Sequence, residues 1–173
     1  MFVLFQYLND TLGDFVRTII EGGDDCEVDP TRVAMPTMIA THQSNLRMYC
    51  DMAWTKIITS SSFFPSELQS VFSCFRGRCE EEQKADLSEN LISASIFLRF
   101  LCPAILSPSL FNLCQEFPTD RAARNLTLIA KTIQTLANFS KYVHLLLYLN
   151  NITFLYTILN DCITNLDKRM ANM

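Results

Sequence analysis

Residues 97–111 form an almost wholly apolar stretch near the middle of the chain, and this stretch constrains the fold more than any other segment. On a helical wheel drawn at about 100° per residue, residues 87–101 carry apolar side chains on every side. A helix that is apolar all round is normally buried between other elements. We therefore predict a central helix over about residues 86–102, ended by Pro103, as the most buried element of the fold. Its two apolar faces are Leu87, Leu91, Ala94, Leu98 and Leu101 on one side and Ile92, Ile96 and Phe100 on the other.

Arg99 is the one charged residue in this apolar stretch, and the wheel places it among the isoleucines. A buried guanidinium without a partner costs several kcal/mol, so a buried Arg99 must be hydrogen-bonded or paired with a carboxylate. We expect its partners to be backbone carbonyl groups or an acidic group near the start of the chain. The equal alternative is an arginine whose stem packs against apolar neighbours while its head reaches water.

Apolar residues recur at helical spacing along most of the chain, whereas strand-like alternation is scarce. Further helices are predicted over residues 2–21, ended by Gly22 and Gly23, and over about residues 38–59, from Pro65 onward and at 120–141. With 173 residues, 49% of them hydrophobic, the chain can bury a core of its own. We predict a single all-α domain over residues 1–173. The predicted buried faces are Phe5, Leu8, Leu12, Phe15 and Ile19 in the first helix, Leu68, Val71, Phe72, Phe75 and Cys79 in the helix after Pro65, and Leu126, Ile129, Ala130, Ile133, Leu136, Ala137 and Ser140 in the last.

Arg124, Lys131 and Asn138 recur every seven residues along the last predicted helix, within about 40° of one another on the wheel. They lie opposite its apolar face. Such a stripe is usually a solvated surface, and the residues taken alone favour that interpretation. A basic edge on an acidic protein also suits an acidic partner, which keeps a binding surface as the second interpretation.

An acidic segment, residues 24–30, follows the first helix and ends in a proline. Charged residues beside proline are typical of a turn, so we predict a solvated loop. His42 lies within the helix predicted over about residues 38–59 and has no partner at the spacing of a metal or catalytic pair. We therefore predict a histidine on the surface of that helix.

Several parts of the sequence resemble one known family. Phe-Leu-Arg at residues 97–99, followed by Pro-Ala-Ile at 103–105 and Ser-Pro at 107–108, resembles the signature of Ras GTPase-activating protein domains. Leu-Thr-Leu-Ile-Ala-Lys at 126–131, followed by Leu-Ala-Asn-Phe at 136–139, resembles another helix of these domains. Shorter runs that resemble its synaptic Ras-GAP-like subgroup are Tyr-Leu at 7–8, Leu-Gly-Asp-Phe at 12–15, Cys-Glu-Val-Asp-Pro at 26–30 and His-Gln-Ser-Asn-Leu-Arg at 42–47.

The resemblance covers about residues 7–140 and implies a truncated helical domain, incomplete at both ends, with residues 141–173 as an atypical C-terminal extension. Such a domain accelerates GTP hydrolysis by a Ras-like or Rap-like GTPase in its GTP-bound form. It regulates an enzyme, is not an autonomous enzyme, and needs no cofactor or metal ion.

The resemblance also implies roles for individual residues. Leu98 would form part of the floor of the groove that receives Ras, and Arg99 would brace the loop that carries a separate catalytic arginine. Lys131, with Arg124 and Asn138 on the same stripe, would line the other wall and meet the acidic effector surface of Ras.

The catalytic arginine of the family, whose general effect on the rate is roughly 10³–10⁵-fold, lies on a loop just before the helix that matches the one containing Tyr7. The residues before Tyr7 contain no arginine, and Arg17 belongs to the helix itself. We therefore expect this chain to be weak or inactive alone. Two alternatives stay open, namely a non-catalytic module that binds a small GTPase and a helical scaffold fragment without a GTPase partner.

Composition and charge limit the remaining possibilities. A formal net charge of −4 gives the chain no polyanion-binding character, so we expect no nucleic-acid partner. Seven cysteines without Cys-x-x-Cys spacing, and no recognisable signal peptide, indicate reduced thiols in the cytosol. We predict a cytoplasmic protein, at most peripheral at a membrane in its full-length form. The uncharged segment 142–159 approaches the length of a membrane span, but its asparagines and threonines favour a packed terminus.

Overall fold

The computed structural model describes residues 2–138, except for the side chains at positions 85, 86, 89, 93, 136 and 138. All regular elements in this range are helical and no strand occurs in it, which confirms the predicted all-α fold. The α-helices in chain order are α1 (Phe2–Leu8), α2 (Asp14–Glu21), α3 (Ile39–Thr59), α4 (Ser66–Glu81), α5 (Ala85–Ser93), α6 (Cys102–Leu106) and α7 (Asp120–Asn138). Two π-helical segments, named π1 (Asn9–Gly13) and π2 (Ala94–Leu101), join α1 to α2 and α5 to α6, and 3₁₀ turns occur at Pro36–Met38, Ser60–Phe63 and Pro108–Phe111.

The first helical region, from α1 through π1 to α2, ends where the sequence predicts. The chain leaves α2 at Gly22, where a Cβ atom would lie 2.7 Å from the carbonyl oxygen of Thr18. Glycine is the residue that tolerates so close an approach of the backbone. The predicted face of this region is confirmed at Leu8, Leu12, Phe15 and Ile19, which are buried, whereas Phe5 is half-buried.

Helix α7 lies at the centre of the core. It packs against α2, α3, α6 and π2. Its apolar face is the one that the sequence predicts, so this prediction is confirmed for the described side chains. The side chain of Leu136 is not among them, and Ser140 lies outside the described residues. The buried members of the predicted face are Leu126, Ile129, Ala130, Ile133 and Ala137.

The predicted central helix consists of three elements, and it is not the most buried part of the described chain. Helix α5, segment π2 and helix α6 follow one another without a break, so the helical path passes Pro103 and ends at Leu106. Leu87 and Leu91, predicted to be buried, are 48% and 45% exposed. Helix α7 takes the central position instead.

Leu87 and Leu91 lie in α5, ahead of π2. The π-helical geometry of π2 explains the part of the error that falls on residues 94–101. A π-helix closes its hydrogen bonds between residues i and i+5, so each turn is wider than a wheel at 100° per residue assumes. The apolar residues of this region are therefore redistributed between core and surface. Ile92, Phe97 and Leu101 are buried, whereas Leu98 is half-buried.

Helix α4 carries an apolar stripe that is largely at the surface. Val71 is 60% exposed, and Leu68, Phe72 and Phe75 are half-buried. Of the predicted stripe, Cys79 is the buried member. Helix α4 packs against α5, and we call the pair the α4–α5 hairpin. The predicted burial of the stripe is wrong for most positions, because the helix that it meets is itself partly exposed.

Within residues 2–138 no helix combines the length and the apolar character that a bilayer crossing requires. The uncharged segment 142–159 lies outside the described residues.

Candidate functional site

Segment π2 carries the predicted site residues Leu98 and Arg99. The ring of Phe97 stacks on Trp54 of α3, with 5.7 Å between the ring centroids. The ring of Phe100 stacks on Tyr7 of α1, with 6.2 Å between the centroids. Between these two anchored rings, Leu98 is half-buried and Arg99 is exposed.

The expected burial of Arg99 is wrong. Its side chain is exposed, and it makes no hydrogen bond or ion pair with any residue that the structure describes. The predicted contact with the start of the chain is therefore missing over residues 2–138. Because the wide turns of π2 carry position 99 to the surface, water solvates the guanidinium and no protein partner is needed.

The predicted basic stripe of α7 divides between two environments. Lys131 is exposed on the outer face of the helix. Arg124, two turns earlier, is part-buried and paired with Glu27. The side chain of Asn138 is not described. Of the described pair, Lys131 is therefore the cation that is open to solvent, while Arg124 belongs to a structural contact.

Glu27 and Arg124 join α7 to the acidic loop, which we define as residues 22–29. Arg124 donates from Nε to Oε2 at 2.7 Å and from Nη2 to Oε1 at 3.0 Å. Burial raises the pKa of Glu27, but the hydrogen bonds from Arg124 and from the backbone N–H of Asp29 outweigh it, so the pKa is lowered. The same contact raises the pKa of Arg124. Both groups are therefore held in their charged forms.

Two further side chains of α7 bind the backbone of the acidic loop. Asn125 is buried; its Oδ1 accepts from the N–H of Cys26 and its Nδ2 donates to the carbonyl of Asp24, each at 3.0 Å. Arg121 donates from both Nη atoms to the two carbonyl groups that follow α2, each at 2.8 Å. With Arg124, these residues are spaced i, i+3 and i+4, so one side of the first turns of α7 holds the loop.

Helix α3 binds the acidic loop from its other side. His42 Nδ1 donates to the backbone carbonyl of Glu27 at 2.9 Å. Asn45 Nδ2 donates to the carbonyl of Asp25 at 3.0 Å, and the hydroxyl of Tyr49 donates to a loop carboxylate at 2.6 Å. The prediction of a surface position for His42 is wrong, because the loop folds over this side of α3 and buries the ring.

The predicted solvated turn at residues 24–30 is also wrong in its middle, where Cys26, Glu27 and Val28 are buried. Burial, reinforced by the neighbouring aspartates, raises the pKa of the Cys26 thiol to about 12. Burial and the hydrogen bond to Asp24 raise the pKa of Tyr49 to about 12. Both groups therefore stay protonated near pH 7, and a protonated thiol at Cys26 is a poor nucleophile.

The burial of this loop could have been predicted from the two helices beside it, although the composition of the loop itself predicts exposure. His42, Asn45 and Tyr49 are spaced i, i+3 and i+7, which places three polar side chains on one side of α3. The first turns of α7 show a similar set. Two polar helix sides with no partner of their own predict a polar segment between them, and the acidic loop fills that place.

The family model described as "GTPase-activator protein for Ras-like GTPase" matches residues 34–138, a range that contains α3 to α7 and every predicted site residue. The chain belongs to this family. Among its relatives, "Ras GTPase-activating protein nGAP" of Homo sapiens is 56% identical over 137 residues, which are 79% of this chain and 12% of that protein. "Ras GTPase-activating protein gap-2" of Caenorhabditis elegans is 51% identical over 139 residues, again 79% of this chain and 12% of the relative.

"Disabled homolog 2-interacting protein" of Rattus norvegicus is 54% identical over 137 residues, 79% of this chain and 14% of that protein. The chain thus spans less than a sixth of the length of these three relatives. Within the matched range, π2 packs directly against α7. The structure therefore brings the element that carries Leu98 and Arg99 next to the element that carries Lys131, and it assigns Arg124 to the acidic loop.

Proposed function

We propose that this chain is part of a GTPase-activating domain that binds a Ras-like or Rap-like GTPase in its GTP-bound form and accelerates hydrolysis in trans. Its membership of the family supports the proposal, as do the names of relatives at 51% and 56% identity. The protein is a regulator of an enzyme in this proposal, and the hydrolysed GTP belongs to the partner.

The observation that carries the proposal is the packing of π2 against α7, two elements that each expose a cation. We call these two elements the edge of π2 and α7. Segment π2 presents a half-buried Leu98 beside an exposed Arg99, and the adjacent helix presents an exposed Lys131. π-Helical segments inside α-helical paths occur frequently at functional sites. A half-buried leucine gives such an edge an apolar contact, and two solvated cations give it affinity for an acidic surface. Binding at this edge should weaken with salt, because both cations are exposed.

Chemistry in this class depends on an arginine that meets the charge developing on the transferred phosphoryl group. No arginine precedes Arg17 in the sequence, and Arg17 is paired with Asp14 on α2. Arg99 lies on π2, which stacked rings fix from two sides. We propose that the chain as given binds the GTPase while stimulating hydrolysis weakly or not at all.

A non-catalytic GTPase-binding module is the second candidate, and it would use the same exposed cations, Arg99 and Lys131. The edge of π2 and α7 would then serve association alone. A helical scaffold fragment without a GTPase partner is the third, and it would leave Arg99 and Lys131 without a role.

A single-turnover GTPase assay separates these candidates. A Ras-like GTPase loaded with GTP is mixed with an excess of this chain, and both the hydrolysis rate and the complex are measured. We expect a complex with little stimulation, and stimulation by roughly 10³-fold or more when an arginine-bearing loop is added before Tyr7. A complex that stays inactive with the added loop would favour the binding module. If no complex forms at any concentration, the helical scaffold fragment is the remaining candidate.

The proposed location is the cytoplasm, with peripheral attachment to a membrane as a property of a longer protein. The cysteines of the described range are free thiols at positions 26, 50, 74, 79, 102 and 114, as a reducing compartment allows. Cysteine oxidation state in the purified protein, measured by thiol titration without denaturant and with it, tests this part of the proposal.

A further inference from the structure

The two candidate residues of π2 are enclosed in sequence by two phenylalanines that stack on rings from two other helices. Phe97, before Leu98, lies nearly parallel to Trp54 of α3, with an interplanar angle of 18°. Phe100, after Arg99, lies nearly parallel to Tyr7 of α1, with an angle of 8°. We call these two ring pairs the aromatic bracket. It ties the Leu-Arg dipeptide to two elements that are distant in sequence.

Tyr7 is itself fixed by more than its ring. It is 5% exposed, and its hydroxyl lies 2.7 Å from Oγ of Ser60. Ser60 gives its own proton to the carbonyl of Ile57 at 2.7 Å, so Tyr7 is the donor in the shared bond. Its ring also forms a T-shaped pair with Phe64, with 5.2 Å between the ring centroids. Contacts other than the stack on Phe100 therefore hold the Tyr7 ring in place.

Trp54 fixes the other end of the dipeptide. Its side chain is 1% exposed in the middle of α3, and Phe97 is 4% exposed. Stacked pairs of this kind contribute beyond the area that they bury, because offset rings have a preferred geometry. A leucine at either position would fill space but would lose that geometry.

Arg99 has no polar partner among residues 2–138, so within that range no hydrogen bond or ion pair of its own sets the direction of its side chain. The direction follows from the backbone of π2, and that backbone is held by the residues on either side of the dipeptide. We propose that Tyr7 and Trp54 are positioning residues, which hold Leu98 and Arg99 in the orientation that meets the GTPase. This inference rests on the proposed function.

Ordinary core packing is the competing account, and the two accounts differ in one measurable respect. If Tyr7 only stabilises the fold, its loss lowers stability and leaves the contribution of Arg99 to binding unchanged. If Tyr7 positions Arg99, the two residues are coupled in binding. They stay uncoupled in stability, because Arg99 is exposed and contacts none of the described polar groups.

The test is a double-mutant cycle with Tyr7→Leu and Arg99→Ala in the full 173-residue chain. The dissociation constant is measured for a Ras-like GTPase loaded with a non-hydrolysable GTP analogue, and the midpoint of urea unfolding is measured in parallel. We expect Tyr7→Leu to weaken binding about five-fold or more in the wild-type background and less than about two-fold beside Arg99→Ala. Its effect on the unfolding midpoint should be the same in both backgrounds.

Two variants act as controls. Tyr7→Phe keeps the ring and should bind within about two-fold of wild type, because the stack on Phe100 remains. Ile19→Val removes a methyl group from a buried position of α2 and should lower the unfolding midpoint without a change in binding. If Tyr7→Leu fails to fold, Phe100→Leu breaks the same ring pair from its half-buried side and takes its place in the cycle.

The outcomes separate this inference from the proposed function. Additive losses for Tyr7→Leu and Arg99→Ala in a chain that binds the GTPase would overturn the inference and leave the proposed function standing. A wild-type chain that forms no complex would overturn the proposed function, and the inference with it. Non-additive losses confined to binding would support the aromatic bracket, and the same cycle with Trp54→Leu should then repeat them.

Discussion

The acidic loop and the α4–α5 hairpin differ from the sequence-based expectation in opposite directions, since the loop is more buried and the hairpin more exposed than expected. The loop is rich in carboxylates, yet Cys26, Glu27 and Val28 in its middle are buried. The hairpin carries apolar side chains at helical spacing, which predicts burial, yet Val71 and Leu91 are 60% and 45% exposed. The two segments differ in how many groups of the described chain pack against them or bind them by hydrogen bonds. A polar segment can be buried when every group in it is paired, and an apolar helix stays at the surface when nothing packs on its outer side.

The comparison predicts that removing a polar side chain beside the loop costs more than removing an apolar one from the hairpin. Asn125→Ala deprives the N–H of Cys26 and the carbonyl of Asp24 of their partner. Because both backbone groups would be left unpaired, we expect the free energy of unfolding to fall by about 2–4 kcal/mol. Urea unfolding at about pH 7 measures it.

The matched variant is Val71→Ala, which shortens an exposed side chain of α4. Its free energy of unfolding should stay within about 0.5 kcal/mol of wild type. Equal losses of unfolding free energy for Asn125→Ala and Val71→Ala would mean that the hairpin is buried in solution. The contrast between the loop and the hairpin would then be wrong.

Regular helical spacing was enough to predict α3, α7 and the region from α1 to α2. Their apolar faces follow a period near 3.6, which a single sequence displays directly. It was not enough for π2, because the i to i+5 bonds of a π-helix leave no periodic pattern that differs from a somewhat irregular α-helix. The wheel therefore placed Arg99 among buried isoleucines, and it is exposed.

The candidate site was likewise predicted in part from the sequence and in part needed the structure. Leu98, Arg99 and Lys131 were found through resemblance to the family, and the structure brings their elements together. The role of Arg124 could not be found from spacing along α7, because its partner Glu27 lies 97 residues earlier in the chain. The rings that hold π2 come from α1 and α3, which are also remote from it in sequence. Long-range pairs of this kind need a structure.

A second prediction concerns the ion pair that closes the loop. Arg124→Met keeps much of the arginine stem but leaves the 7% exposed Glu27 without its guanidinium. We expect the free energy of unfolding to fall by about 1–3 kcal/mol at about pH 7. Arg121→Met, which removes contacts to two carbonyl groups at an exposed site, should cost less.

The loss from Arg124→Met should depend on pH. The pKa of Glu27 in the folded protein lies below its ordinary value of 4.5, so the pair contributes its full stability above that value. The contribution is lost as the pH falls through the lowered pKa. The gap in stability between wild type and Arg124→Met should therefore narrow on acidification from about pH 7 to about pH 3. A gap that is constant with pH would assign the loss to packing of the arginine stem.

The smallest effect on stability, and the one closest to function, is expected at Lys131. Lys131→Glu changes an exposed residue two turns after Arg124, so the free energy of unfolding should stay within about 0.5 kcal/mol of wild type. Association with a GTP-bound Ras-like GTPase should nevertheless weaken, by about ten-fold at low salt and less at high salt, because the edge of π2 and α7 would then repel an acidic surface. Arg78→Glu in the α4–α5 hairpin is the matched control, since it is also exposed and lowers the formal net charge from −4 by the same two units. Equal weakening by both variants would mean that net charge alone drives association. Weakening by Lys131→Glu alone would indicate that the GTPase binds α7 near Lys131. That position is seven residues after Arg124, whose guanidinium is paired with Glu27 of the acidic loop.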